Sequence, residues 1–248
     1  MYAKNAWKKY QGEKLQELME FNESYKDFIS AGKTERACVA ESVKIALDNG
    51  FKVLSDYKSL KAGDKVYVTN KDKNVAVFVI GKKPIEEGLR VLGAHIDSPR
   101  IDVKQNPLYE DGEMALLKTH YYGGLRKYQW VTLPLSLIGV VYKKDGTLVE
   151  INIGEEENDP VFYITDLAPH LAKDQVQKKM SDCFTGEDLN IIIGSTTADC
   201  EKDKFKTAVM NILNEKYGIT EDDFLSSELS FVPCYKTRDI GFDRSLIG

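Results

Sequence analysis

The sequence predicts an α/β fold, and three observations support this prediction. Apolar residues recur at helical spacing over positions 13–30 and 34–49, which indicates two amphipathic helices. Two valine-rich runs flank a polar turn within positions 65–80, a pattern typical of a β-hairpin. After Arg100 the composition changes, and positions 101–164 are almost wholly β-forming. We therefore expect a β-rich segment to follow the first helices and strands.

The two helices are the first predicted elements. Leu15, Leu18 and Phe28 give the first helix an apolar face. Thr34 is a suitable N-cap for the second helix, because its side-chain oxygen can accept a hydrogen bond from the first turn. Gly50 stands where a residue in the left-handed conformation commonly ends a helix. The second helix is therefore bounded by a capping residue at each end.

A short apolar run at 90–94 follows the hairpin and is predicted to form a buried strand. It ends at the motif His95-x-Asp97. Because alternate residues of an extended chain point to the same side, the two side chains are expected to converge just beyond the strand. Polar residues at the carboxyl end of a buried strand are typical of an α/β enzyme site. His95 and Asp97 are therefore the leading candidates for chemistry.

The β-rich segment is predicted to form a separate module over positions 101–238. Asp145 and Gly146 make a hairpin turn, and Gly218 closes an amphipathic helix. The further elements expected in this module are strands at 130–143, 147–153, 188–194 and 228–235 and a helix at 202–217.

Composition and charge exclude several classes of protein. The net charge of −5 and the pI near 5.4 argue against a nucleic-acid partner, which would need a basic face. No stretch approaches the ~20 apolar residues of a membrane span, and the N-terminal stretch lacks the apolar core of a signal peptide. The four cysteines are far apart, with no C-x-x-C pair. We therefore expect a cytoplasmic protein without a membrane partner.

The pattern around His95 has two interpretations. In one, His95 binds a metal and Asp97 orients its ring. In the other, His95 is a structural histidine hydrogen-bonded to a nearby carboxylate. A catalytic zinc normally has three protein ligands, yet the sequence has no H-E-x-x-H motif or cysteine cluster. His120 is interpreted as a loop histidine among aromatic residues, and His170 as a histidine at a helix start that faces solvent or a subunit contact. A single-metal hydrolase using all three histidines stays an alternative.

Several ordered motifs together resemble a known family of zinc metallopeptidases. The motifs are KTER at 33–36, GAHIDSPR at 93–100, YYGG at 121–124, NDPVF at 158–162, LAPHL at 167–171 and GFDRSLIG at 241–248. In this order they are similar to bacterial members of the aspartyl-aminopeptidase family, and the resemblance extends over essentially the whole chain.

The resemblance implies a fold and a division of the chain. The family has an α/β catalytic domain with two zinc ions and, inserted in it, a β-rich dimerisation domain. By this comparison, positions 1–100 are the first part of the catalytic domain and 101–238 the dimerisation domain. Positions 239–248 begin the return to the catalytic domain. Family members form dimers that build a tetrahedral dodecamer, so self-association is expected.

The resemblance also implies roles for three residues. The histidine that matches His95 ligates one zinc, and the aspartate that matches Asp97 supports it. The histidine that matches His170 projects into the active site of a neighbouring subunit and helps to bind the substrate. The implied activity is release of N-terminal residues, acidic ones by the family's name, from peptides by two-metal-assisted hydrolysis.

The sequence departs from the family's pattern beyond Gly248. The family continues into a Gln-Asp-Asp-Arg motif with the metal-bridging aspartate, then a Glu-Glu pair, another acidic ligand and a final histidine. The 248 residues hold none of these and only one residue that matches a zinc ligand. We therefore expect an incomplete portion of the enzyme that is inactive alone. The alternative is a non-catalytic dimerisation or assembly module derived from the family.

Overall fold

The computed structural model describes residues 5–248 and divides into two compact units. The first unit holds the described chain up to Ser98 together with Lys236–Gly248, and the second is Pro99–Tyr235. The second unit is thus an insertion in the sequence of the first. Residues 1–4, part of the N-terminal stretch expected to lack a signal peptide, lie outside the described residues. The peptidase and dimerisation roles inferred for the two parts stay predictions.

Helices and strands both contribute to the structure, which confirms the predicted α/β class. In chain order the elements are α1 (Glu13–Ala31), α2 (Glu35–Asp48), β1 (Lys52–Val53), β2 (Lys65–Asn70), β3 (Asn74–Val79), β4 (Arg100–Asp111), β5 (Met114–Tyr122), β6 (Leu135–Tyr142), β7 (Leu148–Ile153), β8 (Ile191–Gly194), α3 (Lys204–Tyr217), β9 (Ser227–Pro233), β10 (Asp239–Ile240) and β11 (Leu246–Ile247). Short 3₁₀ turns join several of them.

The first unit places α1 and α2 beside a small sheet. The Thr34 side chain accepts a hydrogen bond from the Ala37 amide at 3.3 Å, so the predicted N-cap of α2 is confirmed. Gly50 follows the helix with φ +81°, the conformation expected there. The predicted hairpin is also present, because β2 pairs antiparallel with β3, and β1 adds a short parallel strand to β2.

A buried ion pair connects α1 to the segment that returns from the insertion. Lys26 Nζ lies 2.8 Å from Asp239 Oδ1 and 2.8 Å from Glu23 Oε1. One turn further along α1, the Ser30 hydroxyl accepts a hydrogen bond from the Thr237 amide at 3.0 Å. These contacts join the two sequence-distant parts of the first unit.

The predicted strand at 90–94 is not formed, and that prediction was wrong. Positions 88–99 have no strand conformation, Val91 is 79% exposed, and Leu92 is fully exposed. A strand is stabilised by a hydrogen-bonded neighbour. Among residues 5–248, β3 pairs with β2 alone, and no strand lies against 90–94. An apolar run without a partner therefore stays extended and exposed.

The second unit is built on a six-stranded antiparallel sheet in the order β7-β6-β9-β4-β5-β8. Its core holds fully buried residues from across the sheet, among them Ile101, Leu135 and Phe231. The predicted turn at Asp145-Gly146 joins β6 to β7, with Gly146 at φ +84°. The expected strands at 130–143 and 188–194 begin later than predicted, at Leu135 and Ile191. Residues 130–132 form a turn, and a 3₁₀ turn occupies Glu187–Leu189.

Gly139 permits the close approach of β6 to β9. Its φ is +149°, and a Cβ there would overlap the carbonyl oxygen of Glu228 on β9. We expect Gly139→Ala to destabilise the second unit by about 3 kcal/mol, since backbone atoms of two paired strands would have to separate. Chemical denaturation measures the change. Gly124→Ala is the control, because nothing lies within 4 Å of its added methyl group. Equal stability of the two variants would contradict this account.

Lys26 is expected to hold the returning segment at neutral pH. The hydrogen bonds that Lys26 donates to Asp239 and then to Glu23 raise its pKa above the ordinary value for lysine. Its stabilising contribution is therefore lost only as the pH rises through that raised pKa. Lys26→Ala should speed amide exchange in β10 and β11, because Asp239 loses its partner on α1. Hydrogen–deuterium exchange measures this, with the exposed Lys14→Ala on the same helix as control. Unchanged exchange in both variants would refute the role.

Candidate metal-binding site

His95 and Asp97 contact each other in the extended segment that precedes β4. His95 Nδ1 lies 3.0 Å from the backbone carbonyl oxygen of Asp97 and 3.2 Å from its carboxylate Oδ1. One residue separates His95 from Asp97, so the contact forms within the segment itself. The sequence-predicted pair is therefore brought together by local backbone geometry.

The contact fixes which ring nitrogen is available to a metal. Both groups that face Nδ1 are hydrogen-bond acceptors, so Nδ1 carries the proton and donates it. A neutral imidazole protonated at Nδ1 keeps its lone pair on Nε2. The His95 side chain is 85% exposed, so this nitrogen is accessible. An oriented, accessible Nε2 is the usual first element of a histidine metal site.

The described residues do not complete a zinc site around His95. Within residues 5–248 there is no group of three or more His, Cys, Asp or Glu side chains close enough to hold a metal ion. A catalytic zinc needs three protein ligands. The residues present therefore fit one ligand and its orienting carboxylate, and they do not fit a complete zinc centre.

The other two histidines belong to the second unit, whereas His95 belongs to the first. His120 lies on β5, opposite Asp102 on β4, and its ring stacks on Tyr121 with centroids 5.3 Å apart. His120 was expected in a loop, so that placement was wrong. Because no three-ligand group exists among the described residues, the single-metal alternative with three histidines has no support in the structure.

His170 lies on an exposed turn of the second unit. The Leu171 amide donates to the carbonyl oxygen of Ala168 at 2.8 Å, and the buried Ala172 anchors the end of the turn. Asp166 organises the start of this segment by accepting hydrogen bonds from the Leu167 amide at 2.8 Å and from Gln175 Nε2 at 3.1 Å. The histidine is thus presented on an ordered surface turn. Its role in binding substrate stays a prediction.

A buried polar cluster follows the candidate motif and was missed by the sequence analysis. Arg100 Nε donates to Asp102 Oδ1 at 2.7 Å, and the Ser230 hydroxyl donates to the same oxygen at 2.7 Å. The Arg100 guanidinium lies 3.9 Å from the ring centroid of Tyr122. The Arg-x-Asp spacing on a strand was a visible signal for the first contact. Ser230 comes from β9, and no local pattern connects it to Asp102.

Comparison with known proteins identifies a matching family model and similar proteins. The model of the aminopeptidase I zinc metalloprotease family, M18, matches residues 28–248. A probable M18 family aminopeptidase 1 of Clostridium acetobutylicum is 53% identical over 250 residues, a match that covers 98% of this chain and 54% of the relative. The chain thus spans about half the length of the curated relatives it matches.

Solved structures likewise match this chain over about half of their own length. The crystal structure of an M18 aminopeptidase from Thermotoga maritima has a TM-score of 0.93 and 45% identity, and the match covers 100% of this chain and 54% of that protein. The S. cerevisiae mApe1 dodecamer has a TM-score of 0.64 at 19% identity, covering 91% of this chain and 50% of that one, and shows the shared fold alone. No helix among the described residues is long and apolar enough to cross a membrane.

The Asp97 contact predicts the tautomer of His95. We expect the neutral ring to carry its proton mainly on Nδ1, and Asp97→Ala to shift protons toward Nε2 because one of two acceptors is removed. Nitrogen-15 chemical shifts of the ring at a pH where it is neutral measure the tautomer populations. Asp166→Ala, which removes a carboxylate beside the other unit's histidine turn, should leave the His95 populations unchanged. The same tautomer ratio in the unsubstituted chain, Asp97→Ala and Asp166→Ala would show that Asp97 does not orient His95.

Proposed function

Because the chain belongs to the aminopeptidase I zinc metalloprotease family (M18), we propose that it supplies part of a zinc-dependent aminopeptidase that removes N-terminal residues from peptides. The family membership predicted from the ordered motifs is confirmed. The observation that carries the proposal is the His95 ring, whose Nδ1 is engaged by Asp97 and whose Nε2 is left accessible.

In the proposed site, His95 would hold one zinc through Nε2, and Asp97 would keep the ring in the required tautomer and orientation. When bound, zinc would polarise the scissile carbonyl and lower the pKa of a bound water. His170 would contact the substrate in the active site of a neighbouring subunit. Its exposure on an ordered turn supports this role.

The rest of the proposed site comes from sequence that this chain does not cover. The curated relatives are about twice as long as the match, and the described residues contain no metal-binding cluster. We therefore infer that the second zinc, the remaining ligands and the general base belong to the uncovered part of an M18 enzyme. The 248-residue chain should have no peptidase activity by itself.

Self-association and a cytoplasmic location complete the proposal. The second unit, which includes most of positions 101–238, has its own core and would act as the dimerisation domain. One distant structural neighbour, S. cerevisiae mApe1, is a dodecamer, and we propose the same assembly for the complete enzyme. All four cysteines are free thiols, which favours a reducing compartment such as the cytoplasm.

A second candidate function is a non-catalytic assembly module. The observation that favours it is the contrast between the well-filled core of the second unit and the single candidate ligand of the first. Such a module would form a dimer through the second unit without hydrolysing peptides. Sedimentation of the chain as a strict monomer would exclude this function.

The proposed activity is tested by extending this chain with the uncovered part of the Clostridium acetobutylicum relative. With zinc, the extended protein should release N-terminal residues from peptides. His95→Ala should lower kcat/KM by about 10³-fold or more, because a zinc ligand is lost, a change that corresponds to several kcal/mol of transition-state stabilisation. Asp97→Ala should lower it about 10–100-fold, as for other groups that orient a metal-bound histidine.

The control for these variants is His120→Ala, which removes an exposed ring that stacks on Tyr121 and should leave kcat/KM unchanged. Normal activity of the His95→Ala protein would overturn the proposed function. Equal losses in His95→Ala and His120→Ala would show that the effect is not specific to the metal site.

A further inference from the structure

The second unit contains a cavity of about 440 Å³ between α3 and the strands of its sheet. Leu117 on β5 and Ile151 on β7 line it from the sheet, and Leu213 lines it from α3. Leu117 and Ile151 are each 2% exposed, so the cavity reaches the core. Every residue that lines it belongs to Pro99–Tyr235, and the cavity therefore lies within one unit.

The size of the cavity separates it from an ordinary packing defect. Protein interiors are packed as densely as organic crystals, and voids larger than a water molecule are few. Sites for small ligands occupy about 300–1,000 Å³, and a cavity of about 440 Å³ is within that range. At about 30 Å³ for each non-hydrogen atom, the share of a water molecule in the liquid, it holds a ligand of about 15 such atoms.

The cavity opens to solvent between α3 and the segment that follows β7. Val161 of that segment is 42% exposed, and Ile212 of α3 is 58% exposed. Both side chains also line the cavity. A ligand can therefore enter without separation of α3 from the sheet, and it would cover these two side chains when it binds.

Lys216 supplies a positive charge at the cavity. Among the described residues that line the cavity, Lys216 alone is charged, and Tyr217 contributes a phenol. The Lys216 ammonium lies 5.3 Å from the ring centroid of Tyr217 and donates no hydrogen bond within the part of the chain that the structure describes. Asp159 is a nearby carboxylate, but its Oδ2 accepts hydrogen bonds from the amides of Gly154 and Glu156. The ammonium is therefore available to an anionic ligand.

The rest of the lining is apolar and consists of leucine, isoleucine, valine, phenylalanine and proline side chains. Burial of an apolar ligand against them is favourable in proportion to the surface removed from water. A ligand with several polar groups would lose their hydrogen bonds to water without finding partners here. The lining thus fits an unbranched apolar body with one acidic group at its end.

We propose that this cavity binds a medium-chain fatty acid, with the alkyl chain against Leu117, Ile151 and Leu213 and the carboxylate beside Lys216. Decanoate is within the size that the volume allows. The binding is independent of the proposed peptidase activity, since no residue of the first unit and no zinc takes part in it.

Titration calorimetry of the purified protein with decanoate tests the site. At concentrations below those at which the ligand forms micelles, we expect one molecule to bind per chain. Octanoate should bind roughly tenfold more weakly, because two fewer methylene groups are buried. Decanol has the same alkyl chain without the charge, so its affinity measures the contribution of the apolar contact alone.

Lys216→Gln and a matched control test the carboxylate contact. Lys216→Gln should weaken the binding of decanoate about fivefold, a small effect because the ammonium is exposed to solvent, and should leave the binding of decanol unchanged. Lys204→Gln removes the same charge from the exposed first residue of α3, which does not line the cavity, and should change the binding of neither ligand.

Methyl NMR of the isoleucines locates the ligand without any substitution. Decanoate should shift the methyl signals of Ile192, Ile193 and Ile219, which line the cavity. The signal of Ile138 should stay in place, because Ile138 follows the lining residue Leu137 on β6 and its side chain points to the opposite face of the strand.

Several results would overturn the proposal. Absence of decanoate binding, or binding that shifts Ile138 as strongly as Ile192, would refute the site. Equal losses in Lys216→Gln and Lys204→Gln would refute the carboxylate contact. A dimer in sedimentation that protects the amides of α3 from exchange and prevents decanoate binding would show that a second copy of the chain occupies the cavity, and would refute the fatty acid as its ligand.

Discussion

The structure depends on the contact between Lys26 on α1 and Asp239, because this contact closes the first unit across the insertion. The chain leaves the first unit after Ser98 and re-enters it at Lys236, so the two parts of that unit are remote in sequence. Lys26 bonds to Asp239 over 2.8 Å. Held in this way, the returning segment belongs to the same unit as the candidate ligand His95.

The elements that the sequence predicted well are those determined by local chemistry. Thr34 caps α2 and Asp145-Gly146 turns the chain between β6 and β7, since a capping hydroxyl and a turn glycine act within a few residues. The pairing of His95 with Asp97 is local too. The run at 90–94 was misjudged because its conformation depends on a neighbouring strand. The bond from Ser230 to Asp102 likewise joins positions far apart in the sequence.

The two units differ in how completely their own residues bury apolar side chains and supply metal ligands. The second unit fills its core from the strands of a six-stranded sheet, and side chains of α3 pack against that core. The first unit has few buried apolar residues, an unpaired edge on β3 among the described strands, and a candidate ligand at His95 with no partner ligands in the described chain. Incomplete packing and incomplete metal ligation thus occur in the same unit.

The burial of the Arg100 cluster has a consequence for the response of the protein to ionic strength. Mobile counterions screen exposed charges, but they reach buried pairs poorly. Arg100 and Asp102 are mostly shielded from solvent, whereas the Lys83–Glu87 pair is well exposed. Concentrated salt should therefore weaken the Lys83–Glu87 pair and leave the first residues of β4 in place. The start of the inserted unit should therefore respond little to ionic strength.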